Sequence, residues 1–128
     1  MVVDTLSPDL VKGGENLLRE LDDANANVRA AVWFYFPEEG LWKLLLSFPN
    51  LEKEGPKAAY ARVQRALTKL GGKQAPHLDD VAVAKPNAPL LQLLKTTIRT
   101  GPGISGIRFS NNVINGQLVP DAYIYRLI

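Results

Sequence analysis

The sequence has no cysteine, one histidine and one methionine. Without thiols it can form no disulfide, no thiolate metal site and no cysteine nucleophile. With His77 alone, no site within one chain can draw on two imidazoles. No run approaches ~18 uninterrupted apolar residues, so no transmembrane helix is expected. The opening MVVDTLSPDLVKGG pairs no basic segment with an apolar one, so it does not read as a signal peptide. Repeats and low-complexity linkers are also missing. Together these absences predict a soluble, cytoplasmic protein with no cofactor and no membrane partner, and the lack of cysteine suits a reducing compartment.

What is present is a globular balance. With 128 residues, 46% hydrophobic and 22% charged, the chain matches one domain spanning 1–128. At that size folding buries roughly two-thirds of the unfolded surface, enough for a core without staples. Net charge is +2, unevenly spread: residues 1–56 hold ten acids and five bases, residues 57–128 three acids and ten bases. That asymmetry suits an anionic partner, head-to-tail self-attraction, or opposite charges facing each other across one surface.

The densest apolar stretch is Val28–Phe48, which carries both tryptophans and three of the four phenylalanines. It reads as a central β-hairpin. Ala30, Val32, Phe34 and Phe36 alternate with Arg29, Ala31, Trp33 and Tyr35; Trp42, Leu44, Leu46 and Phe48 alternate with Leu41, Lys43, Leu45 and Ser47. A five-residue turn, Pro37–Leu41, puts the more apolar sets on one face; a four-residue turn, Pro37–Gly40, exchanges them. The first register is expected. It leaves a second face bearing Arg29, Trp33, Tyr35, Lys43 and Leu45, too apolar to be fully wet, so it is expected to be partly covered by a helix of the chain, a partner or a stacked base, which makes it a candidate interface.

Around the hairpin the signals are local. Ser7-Pro8-Asp9 opens a helix whose apolar stripe includes Gly14, where close packing is expected. Gly55-Pro56 opens a second, with Ala59, Tyr60, Val63, Ala66, Leu67 and Leu70 inward. Asp80–Ala84 reads as a short strand. Asn87 is expected to cap a third helix with a Leu90, Leu91, Leu94, Thr97, Ile98 stripe. Strands follow over Ile104–Ile114 and Ala122–Ile128, joined through the Asn115-Gly116 turn signal, with a bulge or edge position at Pro120. The order predicts an α+β fold: a mixed, largely antiparallel sheet of about five strands with three helices packed mainly on one face.

Chemistry-bearing motifs are weak. Gly101-Pro102-Gly103-Ile104-Ser105-Gly106 fits G-x-G-x-x-G, but it follows a helix and precedes a strand, the inverse of the dinucleotide setting, and Pro102 lacks an amide. It reads as a helix stop and turn. His77, with Asp79 or Asp80, lies in a loop without a nucleophile elbow, and a small hydrolase using those acids is the least favoured reading. Asp22-Asp23, Glu38-Glu39 and Asp79-Asp80 suit caps and turns; Glu52-Lys53-Glu54 lies in a turn, not the strand a nuclease site needs. No catalytic, cofactor or metal residue is assigned.

Arg62, Arg65 and Lys69 gather on one helix face, continued by Lys73, with Arg99, Arg108 and Arg126 as extensions if the later elements lie nearby. Such a row can follow phosphates, or merely solvate a helix. The leading expectation is a non-catalytic protein-interaction or dimerisation module, binding a protein partner or itself. Nucleic-acid binding through the basic helix is the alternative.

Overall fold

The computed structural model describes residues 6–128, apart from the side chain at position 111. Helix α1 spans Pro8–Asp23, and Ser7 caps it as its residue type predicts, its Oγ accepting from Leu10 N–H at 3.2 Å. Strands β1 (Ala30–Phe36) and β2 (Leu41–Ser47) form the hairpin; the short helix α2 (Leu51–Glu54) and α3 (Pro56–Leu70) follow. A 3₁₀ turn (Leu78–Asp80) leads into β3 (Val81–Ala84), then come α4 (Pro89–Lys95), β4 (Ile107–Ile114) and β5 (Gln117–Leu127). The sheet order is β3-β2-β1-β5-β4, antiparallel throughout except for the parallel β2–β3 pair. The fold is α+β, with a mixed, mostly antiparallel sheet. No helix among the described residues is long and apolar enough to cross a membrane.

Both faces of the sheet are covered. Helices α1 and α3 pack on Ala31, Trp33, Trp42, Leu44, Leu46 and Tyr125. On the opposite face Leu91 and Leu94 of α4 join Ala30, Val32, Phe34, Leu45, Ile124 and Leu127. This arrangement explains where the hairpin departs from expectation. Phe36 pairs with Leu41 and Trp33 with Leu44, so the turn is the four-residue Pro37–Gly40, closed by Gly40 N–H donating to Phe36 C=O at 2.9 Å. The five-residue register rests on one face being wetter than the other; with both faces buried, that preference vanishes and turn geometry decides.

Two smaller expectations also shift, and a third resolves between its alternatives. The residue at the start of α4 is Ala88, with no side-chain cap, so Asn87 does not cap it. β4 begins at Ile107, three residues later than expected. Of the two settings expected for Pro120, the edge holds within a continuous β5, and the bulge falls instead at the strand's far end, where the β1 register shifts between Ala31 and Val32 and leaves Tyr125 as the extra residue. Pro120 is tolerated because β1–β5 pairing runs only as far as Phe34–Ala122, so no ladder bond is asked of its missing N–H.

That bulge sets how α1 is held. An extra residue in a strand re-aims its side chains. Tyr125 and Arg126, adjacent in sequence, both reach groups at the α1 layer. Trp33 Nε1–H donates to Tyr125 Oη at 3.0 Å, and the Tyr125 hydroxyl donates to Val11 C=O within α1. Arg126 donates to both carboxylate oxygens of Asp22 (2.9 and 2.8 Å), to Val28 C=O (3.2 Å) and to Gly103 C=O (3.1 Å). Gly14 sits over this cluster: a Cβ there would lie 2.4 Å from Tyr125 Oη and 2.7 Å from Trp33 Nε1. The close helix approach expected of Gly14 is what the structure shows.

Candidate interaction surfaces

The residues that sequence reasoning grouped as a second hairpin face do not form one surface. Trp33 is fully buried beneath α1, and Leu45 is buried on the opposite face of the sheet. Tyr35 is half-buried against Trp42, and Lys43 is half-buried with its Nζ donating to Asp79 C=O at 3.2 Å; Arg29 is exposed. Trp33 and Leu45 are thus covered by the chain's own helices, which takes the two buried apolar side chains of the group out of any interface.

The basic row is partly assembled. Arg62, Arg65 and Lys69 line a groove of about 320 Å³ between α3 and the end of α1, floored by Leu21, Ala24 and Ala66. Arg62 pairs with Glu54 and lies 5.9 Å from the Phe48 ring centroid, and Lys69 Nζ is 3.6 Å from Glu20 Oε1. The Arg62 guanidinium, through its hydrogen bond, holds the Glu54 carboxyl below its usual range. Arg65 is exposed on the same wall, and Lys73 is exposed beyond α3. Of the proposed extensions, Arg126 is buried in the Asp22 bridge and Arg108 is held by both oxygens of Asp121 (2.7 and 2.6 Å), so neither adds a free cation. Arg99 lies elsewhere, with Arg29, around Lys95: burial first, then these two cations, push the Lys95 ammonium below its usual range. Sequence reasoning missed this second basic cluster, because Arg29 joins Lys95 and Arg99 from far away in the chain.

Among the described residues, no group of three or more His, Cys, Asp and Glu side chains is placed to hold a metal. His77 is exposed, and its carbonyl accepts Asp80 N–H. The glycine-rich segment lies along β5: Thr100 N–H donates to Leu127 C=O, Leu127 N–H donates back to Thr100 Oγ1, and Ser105 N–H donates to Tyr125 C=O. It is a turn that supports the bulge.

The sheet's two edges differ sharply. Strand β3 has four residues, is followed by Lys85-Pro86, and has its Val83 N–H taken by Tyr60 Oη at 3.1 Å. Short length, a lysine, a proline and a side-chain cap are the usual ways a sheet edge is closed to other strands. Strand β4 has eight residues, no lysine and no proline. Among the described residues no other element besides β5 hydrogen-bonds along it. Near the ribbon's tip Val113 of β4 and Leu118 of β5, 67% and 62% exposed, are the large apolar side chains that remain open among the described residues, and they are direct cross-strand partners next to the Asn115-Gly116 turn. On the other face of the ribbon Asp121 accepts from Arg108 and from Ser110 Oγ at 2.8 Å, which keeps its carboxyl below the usual range. The β4–β5 ribbon therefore combines an open backbone edge with an apolar tip.

No family model, curated protein or solved structure matches this chain.

Proposed function

We propose that this protein is a non-catalytic interaction module that binds a protein partner, or itself, by accepting a strand along β4. The observation that carries the reading is the unprotected eight-residue β4 edge with the exposed Val113–Leu118 pair at its tip. An added strand supplies backbone hydrogen bonds for affinity and side-chain contacts for selectivity. Apolar side chains left open beside such an edge favour burial by a partner. The test is the native mass of the intact protein isolated under mild conditions, compared with a Val113→Lys/Leu118→Lys variant. Wild type is expected to exceed the 14.1 kDa of one chain or to carry a companion protein. The variant is expected to run alone as a monomer with an unchanged thermal midpoint. Two lone monomers of equal mass would sink the reading.

A second reading, nucleic-acid binding, draws on the convergence of Arg62, Arg65 and Lys69 on one groove and of Arg29, Lys95 and Arg99 on another area. Phosphates would relieve the crowding of like charges around Lys95. Labelled single- and double-stranded DNA and RNA, titrated at 50 and 200 mM salt, test it. With about three phosphates neutralised, affinity should fall roughly 40-fold across that range. Reversing Arg62, Arg65 and Lys69 together should abolish the groove's share, and reversing Arg29 and Arg99 that of the second cluster. No binding at the lower salt rejects this reading.

A further inference from the structure

We propose that the strand added to β4 is β4 of a second copy of this chain, antiparallel across a two-fold axis, so that two five-stranded sheets join into one of ten. The inference rests on the strand-accepting reading above and adds the identity and register of the partner. It starts from the hairpin turn. Asn115 and Gly116 have φ of 50° and 80°, the type I′ geometry of a two-residue turn, which closes on a hydrogen-bonded Ile114–Gln117 pair. Bonded and non-bonded pairs then alternate away from the turn. Asn112, Ser110 and Arg108 direct their backbone groups to β5, whereas Ile107, Phe109 and Val113 direct theirs to the open edge.

Symmetry restricts what a copy can do. In an isologous antiparallel pair, directly opposed residues lie on the same face, so β4 must pair positions of like parity. Only two such registers overlap seven residues of the eight-residue strand: one centred on Ser110, the other on position 111. The first sets Ile107 opposite Val113, Arg108 opposite Asn112 and Ser110 opposite itself. The second sets Phe109 opposite Val113, Ser110 opposite Asn112 and Arg108 opposite Ile114. In both, the exposed Val113 meets an apolar side chain of the copy, and the outward-facing backbone groups of the odd positions meet each other. The edge is also compatible in charge. Its single charged side chain, Arg108, never opposes its own equivalent, and each Arg108 is already neutralised by Asp121 within its copy. A like-charge clash, the usual barrier to self-pairing, is absent from both registers.

The experiment reads amide hydrogen exchange and sedimentation together, over a concentration series of the full chain. The amides of Ile107, Phe109 and Val113 are expected to slow as concentration rises, in step with a shift from one-chain to two-chain mass. Val113→Pro removes one outward N–H without taking a bond from the β4–β5 ladder, and should weaken the dimer at least tenfold with little loss of thermal stability. The cysteine-free background gives the register: under mild oxidation Ser110→Cys cross-links across the axis if the pairing is centred there, Cα separations in such pairs being within disulfide reach. A dimer whose protected amides lie elsewhere, or one untouched by Val113→Pro, overturns the inference. A chain that stays monomeric overturns the second copy as partner, while the strand-accepting reading is then judged separately by whether a companion protein is lost in Val113→Lys/Leu118→Lys.

Discussion

Replacing Gly14 by alanine destabilises this protein, although alanine is the better helix former by about 1 kcal/mol. The new methyl would lie 2.4 Å from Tyr125 Oη and 2.7 Å from Trp33 Nε1, inside any real contact distance. Either α1 lifts off the sheet or the Trp33–Tyr125–Val11 chain of hydrogen bonds breaks. Overpacking of this kind costs about 1–3 kcal/mol. An unpartnered Trp33 N–H in a fully buried site adds about 1–3 kcal/mol if the bonds break. A net loss of about 2 kcal/mol is expected for Gly14→Ala, read as a lower denaturation midpoint at constant slope. Tyr125→Phe should lose a similar amount, about 2 kcal/mol, by removing the acceptor for Trp33 and the donor to Val11. The informative variant is the double substitution. Removing the hydroxyl removes the nearest atom in the clash, so the two losses should sum to well more than the double variant shows. Strict additivity, or a stabilising Gly14→Ala, would mean that the close approach exerts no force. Burial raises the phenol of Tyr125 well above its usual range, so it stays protonated and keeps its donor role through neutral and mildly alkaline conditions.

The second large effect is expected at Arg126. Its guanidinium is buried and satisfies Asp22, Val28 and Gly103 at once, tying the end of α1, the approach to β1 and the glycine-rich turn to one point on β5. Truncating one member of a buried, hydrogen-bonded ion pair costs about 3–5 kcal/mol, because its partners are left unpaired. Asp22 is about one-third exposed and can rehydrate, which moderates the loss. About 3 kcal/mol is therefore expected for Arg126→Ala. Arg126→Lys should recover only a small part, since one ammonium cannot reproduce a planar fork aimed at three partners. Asp22→Asn leaves the cation with its two carbonyls and should cost less than Arg126→Ala. Chemical denaturation of the three variants checks that ranking. A wild-type-like Arg126→Ala would show that the bridge contributes nothing to stability.

Much of the fold is legible in the sequence because its signals are local. Ser7-Pro8 starts α1, Gly55-Pro56 starts α3, Asn115-Gly116 turns the β4–β5 ribbon, and each acts through a few neighbouring backbone groups. Register in the β1–β2 hairpin was not legible by the same means. Alternation identifies faces only when one of them is wet, and here Val32 and Trp33 are equally buried on opposite sides. The candidate surfaces divide similarly. The convergence of Arg62, Arg65 and Lys69 follows from helix periodicity, but the pairing of Arg62 with Glu54 and of Lys69 with Glu20 depends on tertiary placement. Arg126 carries a sequence signal after all: an arginine inside the apolar run of Tyr123–Ile128 is costly to bury unless paired, which could have marked it as structural rather than as part of a basic surface. Nothing local distinguishes β4 as an open edge, since strand order is a property of the assembled sheet.

The central position of β1 also has a consequence in time. On one side it meets β2 across a four-residue turn; on the other it meets β5, with Trp33 and Tyr125 separated by 92 residues. Closing so long a loop carries an entropic cost that must be met before any native contact rewards it, which makes non-local strand pairing the slow part of folding. The hairpin can form while the chain beyond it is still unstructured, yet the hydrogen bond from Trp33 to Tyr125 waits for β5 to arrive. The middle of this sheet is therefore begun early and completed late, and until β5 docks both α1 and the interior flank of β1 lack their final anchor.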